Sequence, residues 1–414
     1  MAVNLLTNTS RIETPFISAT IGDYTFGVFN KEKGSGEYIN AYKYYYPNYV
    51  YNLSVVKVNG AVNTYTLQMK YQITPGSDPN FFEKVFSANS RSRRIILTYG
   101  DYSSPTFLYK KECATITDVK SAIDFSSSSI VYTITAISDA LSLKSGTFNF
   151  PAKFARPSQV LLELLYNTKY GILEIFYGMR NKSLVLQKGL IPDSDQAVQL
   201  AAKNGITILD YISYLVSCMI PKSGESSVIV GGVYHLVVHD DYEGELGGPY
   251  FQVLEVPTTY KQNNSLNVYE IDIGFPNVDV VTEFSIDDDQ TYSILYEYSK
   301  KVEQPQYNYR ITDDGTIKEV YSPTVTTNTS NYKTNAVDKN WWTQVTQYPI
   351  KATLTIKGLL RAATLMSYVK VNTYFYGQKH LSSGLYIVTR QVDSISSSGY
   401  RTTLSLTRIS GDEL

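Results

Sequence analysis

The stretch Lys351-Ala-Thr-Leu-Thr-Ile-Lys-Gly358 alternates apolar and polar residues. The same alternation returns in Tyr368 to Tyr376, in Ser382-Ser-Gly-Leu-Tyr-Ile-Val388 and in Thr402-Thr-Leu-Ser-Leu-Thr-Arg-Ile409. A two-residue period places Ala352, Leu354 and Ile356 on one face of a strand and Lys351, Thr353, Thr355 and Lys357 on the other. Gly358, Gly377, Gly384 and Gly399 separate the runs. Short strands with one wet face, spaced by glycine turns, close most economically into a small antiparallel barrel. These runs offer no catalytic chemistry and read as a building part.

The rest of the chain is too long for one core: 414 residues divide into roughly two to four domains of ordinary size. A net charge of −1, with no stripe of Lys and Arg, argues against a partner held through phosphates. The charged fraction is only 18% while Tyr occurs 37 times, so phenols and hydroxyls cover the surface, which suits contact with other proteins. Cys113 and Cys218 fit no zinc or redox spacing and read as buried free thiols. The opening Met-Ala-Val-Asn-Leu-Leu-Thr-Asn lacks the features of a secretory signal, so a chain folded in a cytoplasm is expected. The apolar stretch Ile206 to Ile220 contains Asp210 and is too short for a membrane span.

Taken in order, residues 1–37 read as an arm with one strand at Gly22 to Gly27 and a loose loop. Tyr49 to Val58 and Thr64 to Tyr71 are β-rich runs flanking Asn59-Gly60, a hairpin signal. Asp78-Pro79 opens a short helix with Phe82, Val85 and Phe86 as its buried stripe. Strands follow at Arg94 to Asp101, Thr106 to Tyr109, Ala114 to Ser121 and Ile130 to Ile137. The period then becomes helical: a helix over Ser158 to Tyr166, a second over Asp195 to Lys203, and a third from Thr207 to Pro221 with a capping-box-like Asp210. Strands resume at Val228 to Val238, Tyr250 to Val256, Asn267 to Ile273, Thr282 to Ile286 and Tyr292 to Tyr298, with Asp287-Asp288-Asp289 as the turn between the last two. Residues 299–340 are polar and read as a connector ending at Trp341-Trp342. Ile123-Asp124 to Ser138 and Val392-Asp393 to Ser410 share an apolar-Asp start, a serine turn and a Thr-rich strand. Serine turns recur in β-rich chains, so duplication and coincidence both fit that pattern.

Candidate chemistry is thin. His235-Leu-Val-Val-His239 with Asp240-Asp241 is the only cluster resembling metal ligands, but residues four apart on a strand lie about 13 Å apart, too far to share a small ion. Asp287 to Asp289 lacks the ligand alternation of a calcium loop. Glu243 and Glu245 beside Asp240 and Asp241 could supply a glycosidase carboxylate pair only if their separation suited it. No nucleophile elbow, phosphate loop or dinucleotide fingerprint is present. The reading therefore assigns no catalytic, cofactor-binding or metal residue and no cofactor. Lys351, Lys357, Lys370, Lys379, Arg361, Arg390, Arg401 and Arg408 make the C-terminal part basic against an acidic region from Asp272 to Asp289, a contrast that serves either register between copies or plain solubility.

The segments Ala352 to Gly358, Val369 to Gly377, Ser383-Gly-Leu-Tyr-Ile-Val-Thr389 and Thr402-Thr-Leu-Ser-Leu-Thr-Arg408 resemble the closing barrel of phage baseplate hub proteins. Ile95-Ile-Leu-Thr-Tyr-Gly-Asp101 with the preceding Asp-Pro helix resembles that family's first barrel. Together they cover about half of the chain. The resemblance implies a mainly β fold with a small α-helical insert: two tail-tube-like antiparallel β-barrels plus α/β decoration. The division expected is an N-terminal arm (1–37), a first tube-type barrel (38–145), a helical domain (146–225), a β-rich domain with polar connector (226–345) and the closing strands of a second tube-type barrel (346–414). It further implies a non-enzymatic homotrimer in a virion tail baseplate, assembled in the host cytoplasm. Two barrels per chain would there form a pseudo-sixfold ring joining a hexameric tail tube to a trimeric central spike, beside other baseplate proteins, with no direct nucleic-acid recognition and no membrane span. Two alternatives stay open at this stage: a receptor-binding or tail-associated tip protein, and a tail-tip peptidoglycan hydrolase.

Overall fold

Tyr65, Leu67, Met69 and Tyr71 alternate along one strand and all are buried, while the residues between them remain partly exposed. The two-residue period of the sequence is thus the period of the core. The computed structural model describes residues 15–27, 44–46, 50–78, 80–86, 93–101, 108–193, 195–219, 233–256, 267–273, 281–288, 308–311, 317–320, 350–358, 365–380, 382–396 and 398–411. The fold is mainly β, with a small helical layer.

One large sheet runs through both ends of the chain. Its first half comprises β1 (Pro15–Ile21), β2 (Tyr24–Gly27), β3 (Tyr44–Tyr46), β4 (Val50–Val58), β5 (Thr64–Gln72), β6 (Arg94–Asp101), β7 (Leu108–Asp124) and β8 (Ser129–Ile137). Between the halves come four short strands, β9 (Phe148–Phe150), β10 (Lys153–Ala155), β11 (Val198–Leu200) and β12 (Lys203–Ile206), then the hairpin β13 (Val233–His239) and β14 (Tyr250–Val256). The second half contains β15 (Asn267–Ile273), β16 (Val281–Asp288), β19 (Ile350–Lys357), β20 (Tyr368–Phe375), β21 (Gln378–Lys379), β22 (Gly384–Ser396) and β23 (Gly399–Gly411), while β17 (Asn308–Ile311) and β18 (Ile317–Val320) form a separate hairpin.

The two halves repeat one another in strand order and in register. The first runs β4-β5-β8-β7 with β6 on β7, and the second runs β16-β19-β23-β22 with β20 on β22. Asp118 opposes Thr135 as Arg390 opposes Ser405. Leu53 opposes Leu67 as Phe284 opposes Leu354. Both bulges recur as well. Thr117 and Thr389 are the extra residues of β7 and β22, each seven positions before its strand ends, and each donates its hydroxyl to the carbonyl across the ladder, Thr135 at 3.2 Å and Ser405 at 3.1 Å. Tyr51 and Thr282 are the matching extra residues of β4 and β16. Bulges shared in place and partner are features of a common design. In this register Asp124 matches Ser396, so the alignment of Asp124 with Asp393 suggested by sequence is three residues out.

A third core packs the helices against the β13–β14 hairpin. Its longest helices are α2 (Pro157–Leu165) and α5 (Ile208–Ser217), following α1 (Phe81–Phe86) of the first half and flanking the short α3 (Ile172–Ile175) and α4 (Lys182–Gln187). Thr207 caps α5, accepting from the Asp210 amide at 3.2 Å. Asp195 has no helix behind it: its carboxylate accepts from the amide of Ser158 at 2.8 Å, and the segment read as a second helix holds β11 and the start of β12.

Several further expectations are corrected. Residues 15–27 of the expected arm form a hairpin whose β1 lies along β6, with Phe16, Ala19 and Ile21 buried. The helix after Asp78 buries Phe81 and Val85, and Phe82's side chain lies outside the described residues. Leu108 and Tyr109, from the strand read as Thr106 to Tyr109, run on through Ala114 to Ser121 in one strand, β7, while Thr106 and Phe107 lie outside the described residues. Asp287 and Asp288 lie within β16, opposite Lys351 and Ile350, rather than in a turn. The polar connector holds the β17–β18 hairpin. Tyr292 to Tyr298, Trp341-Trp342 and Arg361 lie outside the described residues.

Gly358 closes β19 against the Tyr400 ring, with its amide donating to the Tyr400 carbonyl at 2.8 Å. An added Cβ would stand 2.2 Å from that ring. Gly358→Ala is therefore expected to lower unfolding free energy by about 2 kcal/mol in urea titrations, with a smaller loss when Tyr400→Leu is also present. An unchanged midpoint for the single variant would count against this packing.

Candidate assembly interface

Strand β22 joins the halves. Along one edge it pairs with β23 throughout. Along the other, Gly384 to Ile387 face β20, and Arg390 to Ser396 face β4 of the first half. The Thr389 bulge between these segments bends and twists the strand. At the seam Leu53, Val55 and Ile395 are essentially inaccessible, and Ile395 and Tyr400 of the C-terminal hairpin pack into the first core.

The same seam buries charge. Lys57 of β4 forms an ion pair with Glu112 of β7, and the Tyr99 hydroxyl donates to Glu112 Oε2 at 2.8 Å. Lys110 Nζ lies 4.0 Å from Asp393, which also accepts from Gln391 Nε2 at 2.8 Å and Thr402 Oγ1 at 2.6 Å. Burial pushes Glu112 up, but Lys57 and Lys110 together outweigh it and hold the carboxyl below its ordinary value. Burial lowers Lys110. Lys57, Lys110 and Glu112 line a cleft of about 450 Å³ that also includes His239, Asp241 and Gln391. The cluster went unread in the sequence, although Lys110, Glu112 and Ala114 share one strand face and so carry charge on an inward side.

Of the residues singled out by sequence, His239, Asp241 and Glu243 line this cleft, whereas Cys218 belongs to the helical core. His235 contacts Asn59 Nδ2 through Nδ1 at 2.7 Å, and His239 stacks on Tyr250 with ring centroids 4.4 Å apart. Burial lowers each imidazole to about 4. Asp240 is buried and accepts from Asn63 Nδ2 at 2.8 Å, Tyr65 Oη at 2.9 Å and Ser138 Oγ at 2.5 Å. Desolvation nevertheless raises it to about 6. Glu243 and Glu245 are exposed and paired with Lys111 and Lys188. Burial pushes the Cys113 thiol up to about 11 and raises Cys218. Among the described residues, no three potential ligands converge as a metal site, and no helix is long and apolar enough to cross a membrane.

Two sheet edges contrast with the seam. The outer segment of β7 pairs with β8 on one side only, and β16 pairs with β19 only, among the described residues. Ile123 of β7 is 58% exposed and Ile286 of β16 is 41% exposed. Their counterparts in the repeat, Ile395 and Val55, are 1% and 0% exposed.

No protein-family model matches the chain, and no curated protein matches it. Among solved structures, the tail protein from Neisseria meningitidis MC58 is similar over 95% of this chain and 96% of its own, with a TM-score of 0.52 at 9% identity. The 43 kDa tail protein of prophage MuSo2 from Shewanella oneidensis is covered over 99% of its length by 96% of this chain, with a TM-score of 0.49 at 10% identity. An E. coli component of the type VI secretion system matches 89% of this chain with 76% of its own, with a TM-score of 0.42 at 10% identity. At such identities the likeness is one of fold, and it rests on the first of these. The chain has a tail-protein fold.

The buried groups predict a pH profile. Unfolded His235 and His239 take up protons near 6.5 while the folded ones wait until about 4, so they withdraw stability as pH falls through that window. Asp240 works in the opposite sense, binding its proton near 6 when folded and near 3.8 when unfolded. Urea midpoints should decline from pH 6.5 to 4.5, less steeply in His239→Gln and more steeply in Asp240→Asn. A flat wild-type profile would show that the imidazoles charge freely in the fold.

Proposed function

We propose that this chain is the structural hub of a phage tail baseplate, a symmetry adaptor joining a hexameric tail tube to a trimeric central spike. The observation that carries the reading is the doubled strand unit, repeated in order, register and both bulges within one polypeptide. Three chains with two such units each present six similar units, which can meet a sixfold tube on one side and retain threefold symmetry for a spike on the other. The tail-protein fold shared with the Neisseria protein supports placing it in a tail.

In this reading residues 38–145, with the β1–β2 hairpin, build the first tube-type unit, and 346–414 with β15 and β16 build the second. The helical core and β13–β14 hold the two together and offer surface to neighbouring baseplate proteins. The role is mechanical: no reaction, cofactor or metal is assigned. The site of action is the virion tail, reached by assembly in the host cytoplasm.

The mass of the species recovered from assembled tails tests this, together with its symmetry in an averaged particle image. A trimer on the tail axis is expected. A single copy per particle, or attachment of the isolated chain to a host surface, would move the chain to the receptor-binding class.

A further inference from the structure

Within the chain, the junction between the halves is a strand pair: β22 from Arg390 to Ser396 against β4 from Asn52 to Val58. The internal repeat maps β22 onto β7 and β4 onto β16, with Thr389 on Thr117 and Tyr51 on Thr282. The first unit therefore carries at β7 the edge that the second uses at β22, and the second carries at β16 the edge that the first uses at β4. Among the described residues, neither of these edges is paired. We infer that β7 of one copy pairs antiparallel with β16 of the next, in the register of the β22–β4 junction, so that the occupant of the edge is a second copy of this chain. The inference rests on the adaptor reading for the number of copies and supplies the contact that joins them.

Transferring the register fixes the partners. Ile395 opposite Leu53 becomes Ile123 opposite Phe284 of the next copy. Ser394 opposite Ser54 becomes Ala122 opposite Ser285, and Val392 opposite Val56 becomes Lys120 opposite Asp287. The result is chemically coherent. Ile123 and Ile286, exposed large apolar side chains in the free chain, fall on the face that the intrachain junction buries. An exposed Lys120 meets the acidic β16. The acidic pair Asp124 and Glu283 falls at the ladder's end, where Asp124 is already held by Ser126 and Ser127 of its own hairpin. Strand direction agrees too, because the path from β16 to β7 is antiparallel at every step. An added β16 thus continues the alternation. The contact is heterologous, one edge against a different one, so with the threefold closure of the adaptor reading it forms a ring and removes the free edges that invite aggregation.

The test uses the full chain, purified and in assembled tails. Ala122→Cys and Ser285→Cys lie opposite one another in the inferred ladder, within the reach of a disulfide or short thiol cross-linker. The native Cys113 and Cys218 are buried. Mixing the two single variants should give covalent dimers that neither variant gives alone. The off-register combination of Ala122→Cys with Glu283→Cys should lose the product, and adding Lys120→Glu should diminish it. Oligomers of the expected mass without the on-register product, or with equal off-register product, would overturn the strand pairing and leave the adaptor reading standing. A chain that stays single in the assembled particle would overturn both.

Discussion

A β-strand has two edges, and in this fold one edge of β22 serves two partners. The Thr389 bulge divides the strand, so that its first residues complete the second unit through β20 and its last residues reach across to β4 of the first. The Thr389 hydroxyl, donating to the Ser405 carbonyl, occupies a lone pair where the ladder is interrupted. Without that change of partner the halves would be two sheets touching through side chains. With it they are one continuous hydrogen-bonded surface, and main-chain bonds set the relative placement of the units.

Charges buried along the seam refine the placement. Removing one partner of a buried ion pair costs several kcal/mol, whereas apolar residues of similar shape could replace both at little cost. The Lys57–Glu112 pair and the Lys110–Asp393 approach therefore select one alignment more than they add stability. Lys57 and Asp393 come from the two strands of the junction, and Lys110 and Glu112 from the β7 strand that the repeat relates to β22. Slipping the ladder by one residue would turn the slipped strand's side chains to the opposite face of the sheet and separate these partners.

Much of this was legible in the sequence, and the failures have physical causes. The period of two identified β4, β5, β8, β19 and β23, and Thr207 with Asp210 marked the start of α5. The Asn59-Gly60 bend was found, but its loop is longer than a two-residue turn, because the Asn59 and Gly60 amides bond to Thr389 and Leu236. Lys110-Lys111-Glu112 read as a break between strands since charges ordinarily mark turns; here Glu112 is buried and paired. Gln196 to Lys203 contains good helix formers, yet Val198 and Leu200 are buried alternately, so tertiary packing overrode propensity. The duplication was visible as a serine-turn hairpin, but its register was hidden. Asp124 and Asp393 look equivalent in sequence, whereas the matching bulges of β7 and β22 are carried by threonines with no distinctive neighbours, and those of β4 and β16 by unlike residues, Tyr51 and Thr282.

The junction also constrains how the chain is made. Ser54 and Ser394 are paired across almost the whole polypeptide, so during synthesis β4 emerges long before the strand that covers it. Contacts of such separation form slowly because the loop between them must first be closed. Until then the first unit presents an uncovered β4 edge, with Lys57 on it as the kind of residue that discourages premature strand addition. Translation to the last hairpin is thus the event that commits the two units to one body, and a truncated product lacking that hairpin is left with an adhesive edge.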